Sequence, residues 1–185
     1  PPVSLAAPLL EEVGGGADQR RGAVVTTEHA GERPQALRHG DRVIWDSLAI
    51  IEYLHEIFPR ARIWPEDPAA RAVARSVSAE LHSSFQAMRG AMSMNLCERR
   101  PTPEMTPALS GDLARVQAIW TDCRRRFGAG GAFLFGKFSG ADAMYAPVAT
   151  RLETYGVAFA GEAEAYTHTL LDMPAMREWR AAALA

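Results

Sequence analysis

The chain has 185 residues, 48% of them hydrophobic and 23% charged, with a formal net charge of −2. That is the balance of a soluble globular protein long enough for one domain or two small ones, and it argues against nucleic acid or an anionic membrane as the main partner. No apolar run approaches the ~18 residues needed to cross a bilayer, no signal peptide is evident, and Cys97 and Cys123 make no disulfide framework, so a cytoplasmic protein with reduced thiols is expected.

The first predicted element is a helix around Leu9–Val13. Strand signals follow at Ala23-Val24-Val25-Thr26-Thr27, at Ala36-Leu37 and at Val43-Ile44-Trp45, with Gly40-Asp41 as a turn between the last two. Trp45 runs straight into Asp46-Ser47. An amphipathic helix begins there and extends to about Phe58, with Ile50, Ile51, Leu54, Ile57 and Phe58 at helical spacing. An acid and a hydroxyl at a strand-to-helix junction sit where free backbone N–H groups and the positive end of the helix dipole converge. Such a corner can cap its own helix or hold a small zwitterionic ligand. The residues alone permit either use.

The segment Phe58–Pro65 reads as a proline-punctuated linker, and the pattern beyond it is almost wholly helical. A helix opening at Pro68 is expected to run through Val73, Val77, Leu81, Phe85, Met88 and Met92 as one continuous buried stripe, with the two methionines in the core. Pro101 and Pro103 break the chain. A second long helix carries Leu109, Leu113, Val116, Ile119, Trp120, Cys123 and Phe127, stops at Gly128, and is expected to pack antiparallel to the first. Cys123 falls on its apolar stripe, whereas Cys97, beside Glu98, Arg99 and Arg100, is the more exposed thiol.

Gly130-Gly131 is a turn, since no phosphate-loop pattern surrounds it. Ser139 and Asp142 have the spacing of a capping box, with Phe138 placed to staple the helix start. That spacing accounts for Asp142 without any chemistry. Pro147 should kink this helix or sit in its first turns. From Glu162 onward two short helices are expected, broken at Asp172-Met173-Pro174, with Trp179 packed on the helical core. His29, His39, His55, His82 and His168 show no ligand spacing, so no metal is expected.

The run from Val43 to Leu54, preceded by Ala36-Leu37-Arg38-His39-Gly40-Asp41, resembles the glutathione-recognition segment of the glutathione transferase family. In that family an acidic residue followed by Ser grips the γ-glutamyl end of glutathione. A second motif, from Phe135 to Pro147, is similar to the buried, box-capped helix that follows the long helical hairpin in the family's α-helical domain. Arg151-Leu152-Glu153-Thr154-Tyr155-Gly156-Val157 is close to a bacterial, zeta-like subgroup. The two motifs stand in the family's order, and the resemblance covers about Ala36 to the C-terminus.

What the resemblance implies is an α+β, mostly α, fold. A small, incomplete thioredoxin-like α/β domain over residues 1–60 would bind glutathione, and an all-helical bundle over residues 66–185 would follow. Glutathione would bind through Asp46 and Ser47, with its backbone paired near Gln35 and Ala36. Its thiolate would attack an electrophile held by His82, Phe85, Arg89, Met94 and Asn95. A homodimer acting in detoxification is also implied. The N-terminal region departs from the family pattern. The subgroup's catalytic Ser falls near Pro1-Pro2, where there is no hydroxyl, which leaves Ser4 as the candidate. Pro34 stands one residue further from Leu37 than the family's cis-proline spacing requires. The rival readings are a non-catalytic ligand-binding or scaffold protein, and a glutathione-dependent isomerase or peroxidase in which Arg89 and Arg99 serve carboxylates.

Overall fold

The computed structural model describes residues 23–26 and 36–184. They fall into two compact units that meet between Trp64 and Pro65. The helix expected around Leu9–Val13 lies outside the described residues.

The first unit holds a three-stranded antiparallel sheet in the order β1 (Ala23–Thr26), β2 (Ala36–His39), β3 (Arg42–Trp45). All three expected strands are present. The β2–β3 hairpin turns on Gly40-Asp41, and Gly40 takes φ +58°, a conformation open to glycine without steric cost. The register sets Leu37 opposite Ile44 and Ala36 opposite Trp45. Because successive side chains alternate faces, Leu37 and Ile44 share one face and Ala36 and Trp45 the other. Leu37 is fully buried, while Trp45 is 50% exposed. Helix α1 (Ser47–Ile57) follows β3 at once and buries Ile51 and Leu54. A 2.7 Å hydrogen bond between His39 Nδ1 and the Tyr53 hydroxyl fastens the end of β2 to the middle of α1. A short 3₁₀ turn, Pro59–Ala61, closes the unit.

The second unit is helical: α2 (Pro68–Ser83), α3 (Gln86–Ala91), α4 (Pro107–Phe127), α5 (Gly140–Thr154), α6 (Glu162–Leu171) and α7 (Pro174–Leu184). Asp67 caps α2 through the Ala70 N–H at 2.7 Å, and Thr106 caps α4 through the Leu109 N–H at 3.2 Å. Each helix has proline in its first turn, where the missing N–H is one that would have no helical partner. At the centre lies α5, buried along most of its length from Gly140 to Thr154. Trp120 of α4 meets Tyr145, Phe159 and Tyr166 edge-on, with ring centroids 5.7, 5.4 and 4.8 Å apart.

Two expectations need correction. The stripe from Val73 to Met92 is not one helix. Helix α2 ends at Ser83, Ser84 is extended, and Phe85 is left-handed at φ 64°. The side chains of Phe85, Met88 and Met92 nevertheless stay buried. The break is held from outside: Asp112 of α4 accepts the Met88 N–H at 3.0 Å, so a distant carboxylate supplies what a continuous helix would have supplied itself. The second correction concerns the expected pairing of the whole Pro68–Met92 stretch with α4, of which only the α3 part packs directly on α4. The backbone of α2 lies closest to α5, and that of α4 to α3 and α6. Buried small residues on α2 (Ala70, Ala74, Ser78) and on α5 (Ala146, Ala149) permit that close approach. Between α2 and α4 the link is long-armed, with Arg115 donating to both oxygens of Glu80 at 2.7 and 2.8 Å.

Candidate functional site

Asp46 takes φ 77° and ψ 132°, outside the regions comfortable for a residue with a β-carbon. Such a conformation costs roughly 1–3 kcal/mol and persists only where the surroundings impose it. Here β3 ends and α1 begins within one residue. The Asp46 Oδ1 atom accepts the N–H of Leu48 at 2.9 Å and of Ala49 at 3.3 Å, so the capping role is realised. Ser47, the first helical residue, is half-buried, and among the described residues neither its hydroxyl nor its N–H has a protein partner. Ala36 is the register partner of Trp45, so the β2 edge lies beside the corner. The corner therefore brings together a carboxylate, a hydroxyl and helix-end N–H groups. Gln35 and Ser4 lie outside the described residues.

The candidate electrophile contacts gather around the α2–α3 break and the loop after α3. His82 is exposed in the last turn of α2, and Phe85 is 4% exposed and packed in the core. Arg89 turns back onto α2, donating from Nη2 to the Leu81 carbonyl at 2.5 Å and from Nε to the Ser84 carbonyl at 3.1 Å. Asn95 organises its own loop: its Oδ1 accepts the N–H groups of Cys97 and Glu98 at 2.8 and 3.0 Å, and its carbonyl accepts the Thr154 hydroxyl at 2.7 Å. Met94 is half-buried, with its sulfur 3.7 Å from Nη1 of Arg151.

Ser139 and Asp142 do form the capping box. Asp142 Oδ2 accepts the Ser139 N–H at 2.8 Å and its hydroxyl at 2.9 Å. Oδ1 accepts the Leu134 N–H at 3.0 Å and the Tyr166 hydroxyl at 2.8 Å. Full burial pushes the Asp142 carboxyl pKa upward, against the pull of these four donors. Cys97 is exposed, while Cys123 is buried and its thiol is pushed up to about 12 by desolvation. Among the described residues no group of His, Cys, Asp and Glu is placed to hold a metal, and no helix is long and apolar enough to cross a membrane.

Residues 106–182, from the cap of α4 to the end of the bundle, match the family model "Glutathione S-transferase, C-terminal domain". The helical unit therefore carries a glutathione S-transferase C-terminal domain. The chain is 39% identical over 59 residues to a probable maleylacetoacetate isomerase from Caenorhabditis elegans, a match covering 32% of this chain and 28% of that protein. It is also 39% identical over 64 residues to glutathione S-transferase 1 from Dianthus caryophyllus, covering 35% of this chain and 29% of that one. These matches span less than a third of either relative. A glutathione transferase homologue from Burkholderia, solved with bound glutathione, superposes with a TM-score of 0.64 at 21% identity. That match covers 98% of this chain and 92% of the Burkholderia one, and it shows that the two share the glutathione S-transferase fold.

Proposed function

We propose that the chain is a glutathione S-transferase family member that binds glutathione at the Asp46-Ser47 corner and transfers its thiol to a small electrophile. The observation that carries the reading is the strained backbone of Asp46 at the start of α1. Capping alone is met by any Ser, Thr, Asp or Asn in relaxed extended conformation, so strain at a cap signals a second demand on the residue. The γ-glutamyl end of glutathione carries an ammonium and a carboxylate. The Asp46 carboxylate complements the ammonium. The Ser47 hydroxyl and N–H, at the positive end of the α1 dipole, complement the carboxylate.

Backbone pairing along Gln35 and Ala36 would hold the cysteinyl part, and Ser4 is the candidate hydroxyl for stabilising the thiolate. The thiolate forms a new C–S bond to the electrophile, and the leaving group departs with the electron pair it shared with that carbon. His82, Phe85, Arg89, Met94 and Asn95 are the candidate contacts for that electrophile. We read the protein as a cytoplasmic homodimer serving detoxification. Calorimetric titration with glutathione, followed by a conjugation assay with 1-chloro-2,4-dinitrobenzene, tests the proposal. Saturable binding with thioether formation is expected. Binding without turnover would leave a non-catalytic glutathione binder, and no binding would overturn the site.

A further inference from the structure

Strand β3 stands at the end of the sheet: β2 lies on one side of it, and among the described residues no strand lies on the other. The run Val43-Ile44-Trp45 holds no charge, proline or bulge, the devices that usually keep such an edge from pairing. Among the described residues four large hydrophobic side chains are exposed. Two of them, Val43 at 46% and Trp45 at 50%, stand on one face of this strand. The two-residue Gly40-Asp41 turn closes on the pair His39–Arg42, which exchanges hydrogen bonds across the hairpin. By alternation, Val43 and Trp45 direct their backbone N–H and C=O groups away from β2.

We propose that β3 pairs edge to edge, antiparallel, with β3 of a second copy of this chain. Symmetry and side-chain chemistry together fix the register. A two-fold axis perpendicular to the sheet keeps like faces together. Centred on Ile44, it sets Ile44 opposite the second copy's Ile44, Val43 opposite its Trp45, and Arg42 opposite its Asp46. Centred on Val43 instead, it would set Arg42 opposite Ile44 and Asp41 opposite Trp45, which matches charge with apolar surface. The Ile44 axis also brings the outward N–H and C=O groups of Val43 to those of the second copy's Trp45, a hydrogen-bonded pair that the symmetry repeats.

Each contact in that register is of a favourable kind: aromatic against β-branched twice, apolar against apolar at the axis, and guanidinium against carboxylate at both ends. The exposed Val43 and Trp45 of each copy are covered by those of the other. The terminal charges hold the register, because moving the axis by one residue breaks both ion pairs at once. Four residues per copy make a contact below the standard interface size, so the association is weak and depends on concentration. This gives a contact surface to the homodimer proposed above and rests on that part of the reading alone. It uses nothing about glutathione or thiol transfer.

The test is sedimentation velocity of the whole chain, without glutathione, over a hundredfold range of concentration. A reversible monomer–dimer shift is expected. Arg42→Glu sets like charges at both ends of the pairing, and Val43→Ser removes apolar contact; both positions are exposed. Each is expected to weaken the dimer at least tenfold with its melting temperature unchanged. Cross-linking reads the register. Opposed β-carbons in such a pair stand about 4.5–5.5 Å apart, close to the spacing a disulfide needs. In a Cys97→Ser background, with Cys123 buried, Ile44→Cys should therefore join two chains on oxidation with diamide. Arg42→Cys, whose counterpart lies four positions further along, should not. A monomer throughout the range would overturn the proposal and the homodimer with it. A dimer indifferent to Arg42→Glu and Val43→Ser, or one that cross-links through Arg42→Cys as fast as through Ile44→Cys, would overturn this surface and leave the homodimer standing.

Discussion

The backbone of Gly131 crosses that of Gly136 so closely that a β-carbon on Gly131 would stand 1.9 Å from the Gly136 carbonyl oxygen. The segment between α4 and α5 is folded back on itself at this point. Arg124 Nη1 holds it by donating to the carbonyls of Gly131 and Phe133 at 2.7 and 2.6 Å. The crossing matters because it delivers the Leu134 N–H to Asp142. Gly131→Ala cannot be accommodated without moving backbone, and it should lower unfolding free energy by about 3 kcal/mol. Gly111, inside α4 with nothing near its missing β-carbon, is the control. Gly111→Ala should raise stability by about 0.5–1 kcal/mol, both read from urea unfolding.

Asp142 and Tyr166 make the next prediction. Asp142→Ala leaves two backbone N–H groups, the Ser139 hydroxyl and the buried Tyr166 hydroxyl without their acceptor. A loss of about 3–5 kcal/mol is expected, since each stranded buried donor forfeits its desolvation cost. Asp142→Asn keeps one oxygen but turns an amide donor toward donors, and should fall between wild type and Asp142→Ala. Tyr166→Phe removes one of the four donors and should cost about 1 kcal/mol. A flat response across this series would mean that the box contributes nothing to the bundle.

This capping box was readable because it is local: four residues carry the whole device, and Phe138 marks the entry. The β2–β3–α1 run was equally readable, since alternation, a Gly-Asp turn and helical spacing follow one another without gaps. The α2–α3 break was not. The apolar positions from Val73 to Met92 keep helical spacing straight through it, and the carboxylate that accepts the Met88 N–H beyond the break, Asp112, lies twenty-four residues away in the chain. The strain at Asp46 was hidden for a related reason. The sequence shows a residue able to cap, but only the β3-to-α1 turn angle shows that it caps at positive φ.

Cys123 gives the pH prediction. Burial raises its thiol from 9.0 to about 12. The folded state therefore holds a proton that the unfolded chain releases across that window, so stability should fall as pH rises above about 9. The slope contributed by this one group can reach about 1.4 kcal/mol per pH unit. Below pH 9 both states keep the proton, and the group adds no slope. Unfolding free energies measured from pH 7 to 10.5 should show this decline, and Cys123→Ala should lessen it. At neutral pH a thiol reagent should modify exposed Cys97 quickly and leave Cys123 untouched until the chain unfolds. Rapid labelling of both would show that the α4 core opens far more readily than its packing implies.

Asp46 separates stability from ligand binding. Asp46→Gly removes the β-carbon that makes φ 77° strained, relieving about 1–3 kcal/mol, and removes the cap, which for glycine costs only about 0.3 kcal/mol. Strain relief outweighs the lost cap, so its melting temperature should not fall below that of the wild type. Asp46→Asn keeps both cap and strain while deleting the charge. If the corner evolved only to start α1, neither variant should change affinity for glutathione. If the carboxylate meets the ammonium of the γ-glutamyl end, both should weaken binding at least tenfold, the scale of one charge-assisted hydrogen bond. Ser47→Ala should weaken it further without touching the Asp46 cap. Titration calorimetry on the three variants, each checked for a melting temperature no lower than that of the wild type, decides whether the strain at this corner serves the helix or the ligand.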